Sequence, residues 1–252
     1  MIVEPATGAA EVAGSVEQVG EPGASRLLLW DVDGTLLRAG DIAALVFTRA
    51  IERVLGHPPE GRVQMSGKTD PQIAREYLEL SSVPDPGRHV AAIVREAETE
   101  LRERRQLIAE RGRVLPGVSE LLPALHADPH FLQSVLTGNT ASNARVKLGT
   151  FGLDRWLDLE VAAYGSDDDD RCRLVPIALE RAARLRGVTF APEQAWVIGD
   201  SANDLACARA AGARCLLVAT GRSGVEELTA MGADACFADL SDVPAVMRLL
   251  AS

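Results

Sequence analysis

Three short stretches of this chain place carboxylates or hydroxyls directly after an apolar run. Asp31 and Asp33 follow residues 27–30, Thr137, Gly138 and Asn139 follow residues 131–136, and Asp200 and Asp204 follow residues 195–198. The uninterrupted apolar run 27–30 reads as a buried parallel strand, and polar side chains at its carboxyl end open into a crevice. Carboxylates gathered from separate strand ends repel one another unless a hard cation holds them. A few carboxylates with substrate oxygens and water are the usual surroundings of Mg2+. The residue types therefore predict a magnesium-centred site fed by three strands.

The elements that must position these groups can be read from the same pattern. Further strands are predicted over residues 157–162 and 215–218, with a short last one around Cys236, and helical stretches lie between them. Leu174, Ile177, Ala178, Ala182 and Leu185 mark one such helix. Alternating strands and helices predict an α/β fold, a Rossmann-like, doubly wound and mostly parallel sheet covered on both faces. From residue 41 to 112 the rhythm is helical instead. Phe47, Ala50, Ile51, Val54 and Leu55 share one helix face, and Gly56 is placed to end it. Asp70 and Pro71 suit the start of a second helix with Ile73, Tyr77 and Leu80 on one face. Val90, Val94, Ala97, Leu101 and Ile108 predict one longer helix, with Arg102, Glu103, Arg104 and Arg105 on its solvated sides. The domain reading is a flexible tail over 1–25, an α/β core over 26–40 and 113–252, and an inserted α-helical domain over 41–112.

With 252 residues and 47% hydrophobic content, the chain can bury a core without covalent staples. A formal net charge of -10 argues against nucleic acid or an anionic membrane as the main partner, because both demand a concentrated basic surface. A small anionic substrate remains compatible, since a metal ion and a few basic side chains reverse the field inside one pocket. Cys172, Cys207, Cys215 and Cys236 lack paired ligand spacing and are expected to be reduced thiols, and the four histidines show no ligand spacing either. No apolar run reaches the roughly 18–20 residues that span a bilayer. Residues 1–25 hold four glutamates and no lysine or arginine, unlike a secretory signal, so a cytoplasmic location is expected.

Asp31-Val32-Asp33-Gly34-Thr35-Leu36, Ser134-Val135-Leu136-Thr137-Gly138-Asn139 and Gly199-Asp200-Ser201-Ala202-Asn203-Asp204 occur in that order. By these motifs the chain, from residue 26 onward, resembles the haloacid-dehalogenase (HAD) superfamily phosphatases, in the branch of phosphoglycolate phosphatase-like and β-phosphoglucomutase-like proteins with a small helical cap. The resemblance implies a Mg2+-dependent phosphatase that acts on a small phosphorylated metabolite through an aspartyl-phosphate. Asp31 would be the nucleophile, with its other oxygen on the metal. Asp33 would protonate the leaving oxygen and then activate water, its carbonyl also binding the metal. Gly34 would allow a tight turn close to phosphate. Thr137 would donate its hydroxyl to a phosphate oxygen, with Gly138 and Asn139 beside it. Asp200 would be the second metal carboxylate, and Asp204 would order a metal-bound water or support the ion from farther out. The residues 41–112 resemble the cap, and Lys68, in the loop 66–70, would read the leaving group.

The family usually has a lysine to neutralise the transferring phosphoryl charge. This chain offers Arg171, Arg173 and Lys147. Arg171 is preferred because it follows the loop after a strand end and directly precedes a well-formed helix, whereas Lys147 sits on a helical stretch expected to face solvent. The run Asp167 to Asp170 reads as a solvated loop at a helix start. Two other functions compete. A sugar phosphomutase on the same scaffold would need a second phosphate-binding group in the cap beyond Lys68 and Arg75. A catalytically idle HAD-fold binding or regulatory protein is opposed by the intact set Asp31, Asp33, Thr137, Asp200 and Asp204. Dehalogenase chemistry needs neither the acid at Asp33 nor a metal cluster.

Overall fold

The structure, a computed structural model, describes residues 25–252. The expected tail over 1–25 therefore lies, but for Ser25, outside the described residues. The chain opens with strand β1 (Arg26–Trp30) and the two-residue strand β2 (Leu37–Arg38), and then runs through four helices, α1 (Ile42–Leu55), α2 (Asp70–Leu80), α3 (Gly87–Glu103) and α4 (Arg105–Arg111). It returns through β3 (Arg113–Val114) into α5 (Val118–His126), β4 (Phe131–Thr137), α6 (Ala141–Thr150), β5 (Asp158–Tyr164) and α7 (Leu174–Arg186). The remainder is β6 (Ala195–Gly199), α8 (Ala202–Ala211), β7 (Arg214–Val218), α9 (Val225–Ala230), β8 (Ala235–Phe237) and α10 (Val243–Ala251).

Six strands form one parallel sheet in the order β5-β4-β1-β6-β7-β8. β1 is central, and the later strands are added outward on its two sides, so the switch in winding direction falls at the carboxyl end of β1. That is where an open α/β sheet leaves a crevice. The alternation along β1 explains the two cores. Leu28 and Trp30 enter the hydrophobic cluster on one face and Leu27 and Leu29 the cluster on the other, all fully buried. The α/β, doubly wound parallel architecture is thus the one its sequence predicts.

The apolar residues of the helical insert join the buried cluster on one face of the sheet, with the rings of Phe47 and Tyr77 stacked at 6.4 Å between centroids and Ile51, Ile73, Leu78 and Ile93 buried in it. Gly56 ends α1 in the left-handed conformation expected of it. Leu80 departs from expectation: it is exposed, and the buried face of α2 is Ile73, Ala74, Tyr77 and Leu78. The single long helix expected to reach Ile108 is two, broken at Arg104. There the Arg104 guanidinium turns back onto buried Glu100, which Arg53 also grips at 2.6 Å, so two cations neutralise one carboxylate inside the insert. The chain enters and leaves the insert through β2 and β3, which pair antiparallel, Leu37 with Val114 and Arg38 with Arg113. Two-residue strands carry no periodicity, and this ribbon had no signature in the sequence. Among the described residues no helix is long and apolar enough to cross a membrane, and all four cysteines are free.

Candidate active site

Asp31 emerges from β1 with its amide donating to the Ile198 carbonyl of the neighbouring strand at 2.8 Å. Its side chain is only 4% exposed. The chain then folds back sharply, with the amides of Leu36 and Leu37 both donating to the Val32 carbonyl at 3.0 Å. Gly34 makes this turn at φ +92°, and a Cβ built there would lie 2.5 Å from Asp200 Oδ2. Glycine is therefore required twice, by the backbone conformation and by the approach of the metal-ligating candidate. Thr220, on the loop after β7, secures the turn by donating its hydroxyl to the Gly34 carbonyl at 2.6 Å, and Arg38 donates to the Thr220 and Gly221 carbonyls. Neither Thr220 nor Arg38 was singled out from the sequence.

Asp31, Asp200 and Asp204 bring a carboxylate oxygen each to within 4.8 Å of one another. Burial, together with its acidic neighbours, pushes Asp31 up to about 6 and Asp200 up to about 8. Arg171, 6% exposed, partly answers this charge, with Nη2 at 3.0 Å from Asp31 Oδ1 and 2.5 Å from Asp204 Oδ1. The other Asp204 oxygen accepts from the Ser201 amide and hydroxyl, at 3.1 and 2.6 Å. Both oxygens of Asp204 are thus engaged. Among the described residues Asp200 has no hydrogen-bond donor and no cation within 4 Å, only the more distant pull of Arg171. A buried carboxylate without a partner beside a second carboxylate is what a hard divalent cation would satisfy. The donor set fits a divalent cation such as Mg2+, which Asp31 and Asp200 would hold, while Asp204 holds Arg171 and the start of α8.

The opposite wall of the crevice is built differently. The Asp33 side chain is 40% exposed and its Oδ2 accepts from Lys147 Nζ at 2.6 Å and from Asn139 Nδ2 at 2.8 Å. Lys147 also donates to Asn139 Oδ1 at 2.6 Å, and Asn139 donates to the Thr137 hydroxyl at 2.8 Å. Because the Thr137 oxygen accepts, its proton is free to point at a phosphate oxygen. One expectation needs correction. Lys147 does not face solvent: it is 4% exposed, on the α6 face turned toward the crevice. Arg173 is solvated, 72% exposed, with only distant contacts to Asp168 and Asp170. Asn139 lies beside Thr137 as expected, but its side chain is committed to Asp33, Thr137 and Lys147 rather than free for substrate. The run Asp167 to Asp170 is a loop: Asp167 pairs with Arg181 and Asp170 caps the turn at Cys172.

The insert reaches this crevice with residues 65–70. Thr69, not Asp70 as expected, caps α2, in a reciprocal box with Gln72. A Cβ on Gly138 would meet the Lys68 carbonyl at 2.0 Å, so only glycine lets the insert loop lie against the loop after β4. The Asn203 side chain donates to the Ser66 carbonyl at 3.4 Å. Lys68 Nζ is 2.5 Å from Glu76 Oε2, and both line a cavity of about 420 Å³ with Gln72, Arg75, Arg171 and Asn203.

A HAD-hydrolase-like family model matches residues 173–243. A plasmid phosphoglycolate phosphatase of Cupriavidus necator is 33% identical over 227 residues, covering 87% of this chain and 92% of its own length. Pyrophosphatase PpaX of Listeria monocytogenes is 26% identical over 88% of this chain and 95% of its own. Among solved structures, a predicted phosphoglycolate phosphatase from Haemophilus somnus superposes with a TM-score of 0.67 at 19% identity, covering 88% of this chain and 97% of that one, which bears on the fold alone. With this sheet, these strand-end residues and a relative alike over nearly its whole length, the chain belongs to the HAD superfamily, in its phosphoglycolate phosphatase-like branch, and is a phosphatase.

Proposed function

We propose that this phosphatase is magnesium-dependent, acts on a small phosphorylated metabolite, and proceeds through an aspartyl-phosphate on Asp31. The observation that carries the reading is the meeting of Asp31 and Asp200, at the carboxyl ends of adjacent parallel strands, with Asp204 from the first turn of α8, and of Asp33 held across the crevice by Lys147 and Asn139. The Thr137 hydroxyl and the Gly138 amide bind phosphoryl oxygens. An Asp31 oxygen attacks phosphorus, the ester P–O bond breaks, and the departing oxygen takes the proton of the Asp33 carboxyl. The Asp33 carboxylate then takes a proton from water as that water attacks phosphorus, releasing inorganic phosphate and restoring Asp31. Asp31, Asp200 and the Asp33 carbonyl would hold Mg2+, with Asp204 in support, and the ion supplies positive charge against the phosphoryl oxygens. Arg171 and Lys147 add charge from the protein, one on each wall.

In this reading residues 41–112 are the cap, residues 26–40 with 113–252 the core, and Lys68 reads the leaving group. The free thiols suit a cytoplasmic setting. Hydrolysis is favoured over a sugar phosphomutase because Arg75, the cation that with Lys68 would make a second phosphate site, is already engaged by Asp169 at 3.2 Å. The C. necator relative makes phosphoglycolate the first substrate to try, with pyrophosphate and sugar phosphates beside it. The deciding experiment measures phosphate release from these and from an aryl phosphate, with magnesium and with excess chelator. Release that chelation abolishes and magnesium restores is expected; full activity in chelator would overturn the metal assignment.

A further inference from the structure

Asp70 is a buried acid that no step above uses. It is the first residue of α2 in the insert and 5% exposed. A carboxylate there would ordinarily face its own helix start, where α2 has free amides. Instead it reaches out of the insert to the start of another helix. Its Oδ2 accepts from the Thr140 amide at 2.9 Å and from Asn143 Nδ2 at 2.8 Å, and its own amide donates to the Gly138 carbonyl at 2.7 Å. One residue of the insert therefore grips both ends of the segment 138–143, which begins directly after Thr137. The same helix, one turn on from Asn143, carries Lys147, whose ammonium meets Asp33 and Asn139. A carboxylate removed from water this far is costly unless it is well bonded. Here the bonds that compensate it all cross from the insert to the core.

We propose that Asp70 is a positioning residue for phosphoryl transfer: by bonding Thr140, Asn143 and Gly138 from the insert, it aligns the loop 137–139 and Lys147 only when the insert is docked. The inference rests on the reading of Thr137 and Asp33 as phosphoryl-binding and acid–base groups. It differs from the reading of Lys68, because it concerns the phosphoryl machinery and so applies equally to every substrate. When the insert lifts away, Thr140 and Asn143 lose their acceptor and the start of α6 loses a compensating negative charge. Water would then meet a slackened site, which limits wasteful hydrolysis of an aspartyl-phosphate in the open form.

The test is kinetic, on Asp70→Ala and Asp70→Asn in the full chain, with phosphoglycolate or the best substrate found and with an aryl phosphate. Asp70→Ala should lower kcat about 10- to 100-fold on both substrates, the usual effect of an ångström-scale misplacement, with KM changed by less than about threefold. Asp70→Asn keeps one acceptor and should recover part of the loss. A structural role alone predicts a lower Tm with kcat unchanged per folded molecule, and that result overturns the proposal, as does a loss confined to KM. Should neither Asp70 variant fold, Asn143→Ala removes the partner instead; it should lower kcat on both substrates, and an unchanged kcat overturns the proposal equally. Wild-type hydrolysis and an inactive Asp31→Asn are measured alongside. If those two controls fail, the mechanism is wrong; if they hold and the Asp70 and Asn143 variants match wild type, only the role of Asp70 is.

Discussion

The two walls of the crevice treat their aspartates in opposite ways. Asp31 is sealed among other carboxylates, with Arg171 as its cationic partner, whereas the Asp33 side chain is 40% exposed and held by an ammonium and an amide. The first arrangement leaves negative charge in excess, which suits a nucleophile that shares a divalent cation. The second leaves the carboxyl reachable by water and steadied by donors, which suits a carboxylate that takes a proton from water. Two aspartates two residues apart thus acquire different chemistry from their surroundings, not from their type.

The comparison breaks most clearly at the aspartates themselves. Asp31→Asn should reduce turnover by at least about 10⁴-fold, since a nucleophile has no substitute, while Asp33→Ala should cost about 10² to 10⁴. Single-turnover assays that also look for phosphate bound to the Asp33→Ala protein check both. Turnover of Asp31→Asn equal to wild type would put the nucleophile elsewhere.

Next in size is the effect of the lysine that distinguishes the Asp33 wall. Lys147→Met keeps the length and loses the charge, and should lower kcat by about 10- to 100-fold through misplacement of Asp33 and Asn139. Lys147→Arg should restore part of it. Wild-type kcat in Lys147→Met would make the 2.6 Å contact with Asp33 incidental.

How much of this was legible in the sequence follows from which residues act through their neighbours in the chain. The strands could be read because Leu27 to Trp30 and residues 195–198 are apolar without interruption and the other runs are mostly apolar, and the motifs at their ends brought Asp31, Asp33, Thr137 and Asp200 with them. Lys147 was misjudged because α6 hides its orientation. Its buried positions are Asn143, Ala144, Lys147 and Leu148, so polar and apolar residues share one face and no amphipathic stripe marks the inside. Asp70 suffered the same fate. An acid before Pro71 at a helix start looks like a cap, and only tertiary packing shows that Thr69 does the capping while Asp70 serves α6. Thr220 holds the Gly34 turn from 186 residues away, a relation without local pattern.

The Asp31 wall also makes a prediction about stability. Asp31 and Asp200 bind their protons more tightly in the folded chain, near 6 and 8, than the ordinary carboxylate value of 3.8. Between those values the folded state holds more protons than the unfolded one, so stability is lost as pH rises. In chelator, Tm should therefore fall from about pH 5 to about pH 8 by a few degrees, and Asp200→Asn should flatten the slope. Magnesium replaces the protons as the source of positive charge, so it should raise Tm more at the higher pH than at the lower. A Tm in chelator that stays level or climbs over that range, with no effect of Asp200→Asn, would remove the charge excess from the account.

The smallest effect lies where the insert meets the leaving group, and it sharpens the comparison by separating what both walls share from what they do not touch. In the proposed mechanism the two walls would handle only phosphoryl, metal and water, groups common to every phosphate monoester, so discrimination between substrates would come from elsewhere. Lys68 is the proposed reader, on a cavity that Arg171 and Asn203 line but Asp31, Asp33 and Asp200 do not. Its ammonium is already paired with Glu76 at 2.5 Å, so a substrate group would share that charge rather than receive it whole. Lys68→Ala should then lower kcat/KM for the preferred substrate by roughly fivefold more than for an aryl phosphate, about 1 kcal/mol, the worth of one hydrogen bond. Glu76→Gln frees the ammonium and should shift the ranking of substrates toward those whose leaving group is anionic. Equal losses on both substrates in Lys68→Ala would mean that the lysine acts on docking of the insert, as Asp70 does, and no loss on either would leave it a surface ion pair of little consequence.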